Sequence, residues 1–195
     1  MERITDKRWD EAQKAERECH DKFLKSAGFD HVKDHYKATY QKYFKYLDID
    51  PICLDGLTII EIGCADFPAL EYCNVDKGIL VEPLPSDILI QMVDYYEHLY
   101  LIQSKCEDIE LPQADEIWLL NVMQHVQDPD KFIENCKKAA KVIRFFEPIE
   151  WPIEIYHPHT FTHAYYLKHF PEAVRYEGTD REFHTARCSY GVHRA

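Results

Sequence analysis

The chain has 195 residues, a length that suits one domain with a sizeable core, and 46% of them are hydrophobic, which argues against disorder. Its formal charge at pH 7 is −12, from 35 acidic and 23 basic residues, and this sign makes nucleic acid a poor candidate for the main partner. No apolar run approaches the ~18 residues of a membrane span. The chain has seven cysteines without a CxxC pair and a densely charged N-terminus. These features indicate reduced thiols in a cytoplasmic protein.

The first predicted elements are two helices, which form an N-terminal helical preface over residues 1–55. Residues 5–26 have the spacing of a charged helix with one apolar face. That face consists of Trp9, Ala12, Cys19 and Phe23. Beyond Gly28, side chains at three- and four-residue steps predict a second, amphipathic helix, and these are Tyr36, Tyr40, Tyr43, Phe44 and Leu47. The tyrosines belong either to the core or to the roof of a ligand pocket.

Strands and helices alternate over the remaining α/β core, residues 56–195. The predicted strands are 57–62, 78–82, 98–102, 116–120 and 142–146, followed by strand-like runs at 173–177 and 184–192. Helices are predicted at about 67–74 and 85–96, from Asp128-Pro129, and from Thr160 or Thr162 to about Phe170. This order predicts a mostly parallel, doubly wound sheet in one domain, with a ligand at the carboxyl ends of the strands.

A glycine turn follows the first strand of this core. The strand runs into Glu61-Ile62-Gly63-Cys64-Ala65-Asp66, and Phe67-Pro68 then opens the predicted helix. A strand, a glycine turn and a helix start are used to hold nucleotide-like cofactors. Glu82 ends the second strand about 20 residues later, where a carboxylate can accept hydrogen bonds from both hydroxyls of a ribose.

Three segments resemble those of class I S-adenosylmethionine-dependent methyltransferases. The first is Glu61 to Asp66. The segments Cys106 to Pro112 and Leu120 to Pro129 resemble those of the small-molecule branch sometimes called type 11. The resemblance implies a Rossmann-like, seven-stranded α/β sheet with an antiparallel last strand. It also implies S-adenosylmethionine as the cofactor and S-adenosylhomocysteine as the product.

The resemblance also implies which residues bind the cofactor. They are Glu61, Gly63, Cys64, Ala65, Glu82, Pro83, Cys106, Glu107, Asn121 and Val122. Glu61 is expected beside the ammonium group of the cofactor, and Asn121 and Val122 beside its methionine part. Lys105 replaces an acid that contacts adenine in relatives, so this contact is expected from the backbone near Cys106 or from Glu107.

Histidines are the candidate catalytic residues. His125 can accept a proton from an attacking hydroxyl or amine, or it is a helix-end histidine bonded to the backbone. His157 and His159, in a segment that also resembles one found in relatives, are candidates for a general base or a substrate clamp; packing is the alternative. Together with His163 they have a spacing compatible with metal binding, but no cysteine pair or acid cluster supports a metal, and none is predicted.

The sequence therefore predicts methyl transfer from S-adenosylmethionine to an oxygen or nitrogen of a small molecule, such as a sugar or another metabolite. It predicts no nucleic-acid partner and no membrane, and it leaves the oligomeric state open. The alternative is a degenerate methyltransferase fold that binds the cofactor or a partner without catalysis, which Phe67 and Lys105 favour. A nicotinamide-dependent oxidoreductase is disfavoured because the turn lacks the three-glycine cradle.

Overall fold

The structure, a computed structural model, describes residues 1–178 and 187–195. Seven strands of these residues form one sheet: β1 (Leu54–Ile62), β2 (Val75–Val81), β3 (Leu99–Ile102), β4 (Ala114–Leu120), β5 (Ala140–Pro148), β6 (Val174–Glu177) and β7 (Arg187–Arg194). Their order is β3-β2-β1-β4-β5-β7-β6. The first five strands are parallel, and β7 is antiparallel to both β5 and β6. The predicted doubly wound sheet with an antiparallel last strand is confirmed.

Five α-helices accompany the sheet in the described residues. They are α1 (Asp6–Ala27), α2 (Phe29–Tyr46), α3 (Asp87–Tyr95), α4 (Pro129–Ala139) and α5 (His163–His169). Four of them begin after a side-chain cap that accepts a backbone N–H three residues further on, and the caps are Thr5, Ser86, Asp128 and Thr162. Gly28, with φ +84°, separates α1 from α2. None of the described helices is long and apolar enough to cross a membrane.

The carboxyl-terminal halves of β1, β2, β4 and β5 are buried on both faces because helices cover both sides. Alternate residues of the central strands, such as Ile60 and Leu119, pack against α4 and α5. Their neighbours, such as Ile59 and Trp118, pack against α2 and α3. Strands that are buried on both faces have continuous apolar runs in their sequence, and such runs predict the positions of these strands. All seven cysteines lie in the described residues and are free thiols, with only Cys19 and Cys53 exposed.

Two boundaries differ from the prediction. The helix expected at about 67–74 is only a short 3-10 turn, Ala69–Tyr72. Extended backbone at Pro68 precedes this turn, and the buried Glu61 carboxylate accepts the N–H groups of Ala69 and Leu70. The strand expected at 184–192 begins at Arg187 in the structure, and residues 184–186 lie outside the described part of the chain.

Candidate active site

A cavity of about 640 Å³ lies where α1 and α2 cross the carboxyl ends of the central strands. Its volume is typical of sites for small molecules. Strand ends form its floor through Ile62, Gly63, Val81, Glu82 and Leu120, while α1 and α2 form its roof. The strand order reverses between β1 and β4 at this edge of the sheet. Open α/β sheets bind ligands at such a position.

Glu82 is the acid on the floor of the cavity. Its side chain is 9% exposed, and one oxygen accepts a hydrogen bond from the backbone N–H of Leu84 at 3.1 Å. Burial raises the pKa of this carboxyl group to about 7. Since its partners among the described residues are backbone N–H groups, lone pairs remain for donors in the cavity. Glu82 thus fits the ribose of a nucleoside cofactor.

Tight backbone turns form the rest of this floor. Gly63, Ala65 and Asn121 all have positive φ angles, of 71°, 51° and 64°. A Cβ on Gly63 would lie 2.3 Å from Val122 Cγ2, so this position requires glycine. Of the residues predicted to bind the cofactor, Ala65, Pro83, Asn121, Val122, Cys106 and Glu107 also line the cavity.

Three predicted site residues lie elsewhere. Glu61 is buried, and its carboxylate accepts the N–H groups of Ala69 at 2.8 Å and Leu70 at 3.0 Å. It therefore anchors a turn inside the fold, which corrects the position expected beside a cofactor ammonium. Cys64 is buried in the core on the α2 side of the sheet. His159 is also buried, with Nε2 2.9 Å from the Val126 carbonyl oxygen, and neither residue lines the cavity.

Phe67 and Lys105, the two residues that favour the degenerate alternative, leave the cavity open. Phe67 is fully buried, its ring lies 5.3 Å from that of Phe29, and its carbonyl oxygen accepts the hydroxyl of Tyr40 at 2.7 Å. Lys105 extends along the wall, where Nζ lies 3.1 Å from Asp108 Oδ2 and 4.6 Å from the centre of the Trp9 ring. Neither side chain blocks the floor.

His125 and Glu16 form a pair inside the cavity. His125 Nδ1 lies 2.9 Å from Glu16 Oε2 on α1 and 3.1 Å from the Tyr156 carbonyl oxygen. In the neutral ring, these acceptors place the proton on Nδ1 and leave the lone pair on Nε2. The Nε2 atom has no hydrogen-bond partner within residues 1–178 and 187–195, and His125 lines the cavity. Nε2 is therefore the atom that a molecule in the cavity would contact.

The charges and burial of His125, Glu16 and His157 shift their pKa values in different directions. Burial alone would lower the pKa of His125, but the Glu16 carboxylate raises it above its ordinary value. Burial alone would raise the pKa of Glu16, yet His125 holds it below the ordinary range. The ring of His157 lies 4.9 Å from that of His125, and burial together with His125 lowers the pKa of His157 to about 4. At neutral pH His157 is thus neutral, whereas His125 is the more basic ring.

A second cluster ties α1 to the glycine turn. Arg17 Nη2 lies 2.7 Å from Asp66 Oδ1, and Arg17 Nε lies 3.2 Å from Asp21 Oδ1. Although burial alone would raise the pKa of Asp66, His20, Ser86 and Arg17 together lower it to about 2. The charge of Arg17 is therefore compensated inside the protein.

Aromatic rings cover the roof and one side wall. The roof set, from α1 and α2, contains Phe23, His35, Tyr36, Tyr40 and Tyr43. The wall set, from the segment after β5, contains Trp151, Tyr156 and His157. In the described residues, no group of three or more His, Cys, Asp or Glu side chains is arranged to hold a metal ion.

Comparison with known proteins gives a clear result for the fold. No family model and no curated protein matches the chain by sequence. A chain of the complex between the Haloferax volcanii Trm112 methyltransferase activator and a partner described as a methyltransferase superposes with a TM-score of 0.63 and 15% identity, over 98% of this chain and 99% of that one.

Two further solved structures are similar. For an S-adenosylmethionine-dependent methyltransferase from Aquifex aeolicus, the TM-score is 0.57 at 15% identity, over 79% of this chain and 88% of that one. For the N-methyltransferase NodS from Bradyrhizobium japonicum WM9 with S-adenosyl-L-homocysteine, it is 0.54 at 16% identity, over 71% and 78%. The chain has the class I methyltransferase fold. Within this methyltransferase fold, the cavity lies at the edge where the sequence predicted the cofactor.

The sequence did not reveal the polar face of α1. Gln13, Glu16, Arg17 and His20 line the cavity, with spacings of three and four residues between them. A search for apolar periodicity passes over such a face, because its members are polar. The signal that could have found it is a repeat of titratable residues on one side of a helix, such as Glu16 and His20 four positions apart.

Proposed function

We propose that this protein transfers a methyl group from S-adenosylmethionine to an oxygen or nitrogen of a small-molecule acceptor. The observation that supports this most strongly is the Glu16–His125 pair, which faces the same cavity as the Glu82 carboxylate. A general base and an acid suited to ribose are thus close enough to serve one reaction. A cytoplasmic location and a single-domain organisation stay predictions.

The floor of the cavity would hold the cofactor. Glu82 would accept the ribose hydroxyls, and the turn at Gly63 and Ala65 would lie against the methionine part with Asn121. The backbone from Ser104 to Glu107 would contact the adenine. When bound, S-adenosylmethionine supplies an electrophilic methyl group on a sulfonium, so the protein mainly has to position the acceptor and remove its proton.

His125 would remove that proton. Its Nδ1–H is directed to Glu16, so Nε2 presents a lone pair, and the nearby carboxylate stabilises the imidazolium that forms. The roof formed by α1 and α2 limits the acceptor to a small molecule, because cofactor and acceptor have to share about 640 Å³. His157 would support the ring of His125 through its edge-on contact at 4.9 Å.

Calorimetric titration with S-adenosylmethionine and S-adenosylhomocysteine tests the cofactor site. We expect micromolar binding by the wild type and a loss of at least tenfold in Glu82→Gln. Glu97→Gln, an exposed acid just before β3 at the opposite edge of the sheet, is the matched control and should bind as the wild type. Because the pKa of Glu82 is about 7, affinity should rise between pH 6 and pH 8 in the wild type and in Glu97→Gln, but not in Glu82→Gln. Absence of binding by the wild type would overturn the proposal.

A second candidate is a methyltransferase fold that acts with a protein partner. The similarity to a chain of the Haloferax Trm112 complex favours this candidate, since that complex contains a methyltransferase activator. Cofactor binding without turnover of any acceptor by the isolated protein would support it. Turnover by the isolated protein would show that no activator is needed.

A further inference from the structure

We propose that the methyl acceptor is a phenol, an aromatic ring with a hydroxyl group, that lies between the aromatic roof and wall of the cavity with its oxygen at His125 Nε2. This inference rests on the proposed function and names the substrate class of the same site. Three observations support it: the aromatic rings of the roof and wall sets, the charges of the cavity lining, and the basicity of His125.

The aromatic rings of the roof set and of the wall set contact one another within each set. On the roof, the ring centres of Phe23 and His35 are 5.7 Å apart, and those of His35 and Tyr36 are 6.2 Å apart. On the wall, His157 lies 5.2 Å from Trp151, with the planes at 77°. Aromatic rings prefer offset or edge-to-face contacts with another ring. The two sets thus offer a planar acceptor favourable contacts that an alkyl chain cannot make.

The charges of the cavity disfavour an anionic acceptor. Arg17 and Lys105 are the arginine and lysine of its lining within the described residues. Arg17 is paired with Asp66 and Asp21, and Lys105 with Asp108. A carboxylate or phosphate would therefore meet no uncompensated lysine or arginine, and it would lie near Glu16. A neutral ring compound fits this environment better.

The base suits a phenolic hydroxyl. A phenol has a pKa of ~10, within a few units of an imidazole, whereas an alkyl hydroxyl is about as weak an acid as water, at ~15.7. The carboxylate of Glu16 raises the pKa of His125 and so narrows the gap. The phenolic O–H bond breaks with its proton going to Nε2, the oxygen bonds to the methyl carbon, and the electron pair of the broken carbon–sulfur bond stays on sulfur.

Binding of 4-nitrophenol to the protein saturated with S-adenosylhomocysteine tests this proposal without turnover. Ionisation of the probe is visible in its absorbance, so the apparent pKa of the bound probe can be measured directly. We expect micromolar binding and a lowered apparent pKa in the wild type, because the proton of the bound phenol passes to His125 and the imidazolium offsets the charge of the phenolate. His125→Asn should still bind the probe but lose the lowered pKa, because only the base is removed.

A matched pair of tyrosine variants tests the ring contacts. Tyr36→Leu keeps an apolar side chain on the roof but removes its ring, and we expect it to weaken probe binding at least fivefold. Tyr95→Leu changes a tyrosine that is 79% exposed and outside the cavity lining, so its binding should equal that of the wild type. Cyclohexanol, which has no aromatic ring, should bind at least tenfold more weakly than phenol.

The outcomes separate the two proposals. If S-adenosylhomocysteine binds but phenols bind no better than cyclohexanol, the phenol proposal is wrong and the proposed methyl transfer stands. If phenols bind but Tyr36→Leu and Tyr95→Leu behave alike, the acceptor does not lie on the aromatic roof, which overturns the proposal too. If S-adenosylhomocysteine itself fails to bind, both proposals fall.

Discussion

The proposed chemistry depends on a contact between residues 109 positions apart in the chain. Glu16 lies on α1, and His125 lies in a short turn after β4. With Nδ1 2.9 Å from the carboxylate, the neutral ring is favoured in one orientation and one tautomer, whereas a histidine in water has no such preference imposed on it. In the proposed reaction, Glu16 would act through His125 and is therefore a positioning residue.

Replacement of Glu16 by glutamine should lower kcat about 10- to 100-fold with a phenolic acceptor, because the imidazolium loses a neighbouring charge. The rise of kcat with pH should also move to lower pH, since Glu16 raises the pKa of His125. The other ionisable groups that act on His125, namely His157, Glu147 and Glu82, remain in this variant. Assays that measure the formation of S-adenosylhomocysteine between pH 5 and pH 9 test both effects.

The control for this variant is Glu18→Gln, a substitution of the same kind on the exposed face of α1. It should leave both kcat and the pH profile unchanged. An unaltered profile in Glu16→Gln, with reduced kcat, would show that Glu16 contributes only to the packing of α1.

The sequence predicted the floor of the site better than its roof. Glu82, Gly63 and Asn121 follow strands directly, so their position at the sheet edge follows from local order. Glu16 reaches His125 only through the packing of α1 across the sheet, which no local pattern encodes. The role expected for Glu61 was wrong for a related reason. The sequence places an acid at the strand end, but its hydrogen-bond partners depend on the path of the following turn.

At the scale of elements, buried glutamates hold the turns around the cavity. Each accepts two backbone N–H groups: Glu61 from Ala69 and Leu70, Glu107 from Gln127 and Asp128, and Glu147 from Val122 and Met123. A turn at the end of a strand leaves N–H groups without partners, and a carboxylate satisfies two at once. This explains why a short 3-10 turn is stable at the position where the sequence predicts a regular helix, residues 67–74.

Glu147→Ala should lower the free energy of unfolding by about 2–4 kcal/mol, because it leaves the buried N–H groups of Val122 and Met123 without an acceptor. It should also weaken S-adenosylhomocysteine binding, since Asn121 and Val122 line the cavity. Urea unfolding measures the first effect. Glu97→Ala, at an exposed position, should change the midpoint little, and an equal midpoint in both variants would contradict the role assigned to Glu147.

At the scale of the whole molecule, the alternation of apolar runs and amphipathic segments was enough to predict the doubly wound sheet. Parallel strands need helical crossovers, and right-handed crossovers leave few possible arrangements. The placement of α1 and α2 over the strand ends did not follow from that rule. It depends on contacts such as those of Trp9 Nε1 and Gln13 Nε2 with the His125 carbonyl oxygen, at 3.1 and 3.2 Å.

The stability of the molecule should fall as pH rises from 6.5 to 8.5. Burial raises the pKa values of Glu61 and Glu82 to about 7 and that of Glu147 to about 8, from an ordinary value of 4.5. The folded state therefore keeps protons that the unfolded state releases. The histidines whose pKa values are lowered, His157, His159, His163 and His169, act in the opposite direction, but mainly below their ordinary pKa of 6.5. His125, with its raised pKa, adds to the fall.

Urea unfolding at pH 6.5 and 8.5 measures this difference. Glu147→Gln should reduce the slope of stability against pH, because the side chain no longer titrates. A wild-type stability that rises over this interval would contradict the raised pKa values of the three carboxyl groups.

The positions of the exposed cysteines allow ligand binding in the cavity to be measured by thiol labelling. Five of the seven sulfhydryls are buried, Cys19 is exposed on α1 beside the cavity, and Cys53 is exposed outside its lining. An alkylating reagent will therefore meet two accessible sulfurs, of which a ligand can shield only one. The ratio of the labelling rates of Cys19 and Cys53 therefore shows whether a ligand occupies the cavity beneath α1, without a dye, a tag or a second protein.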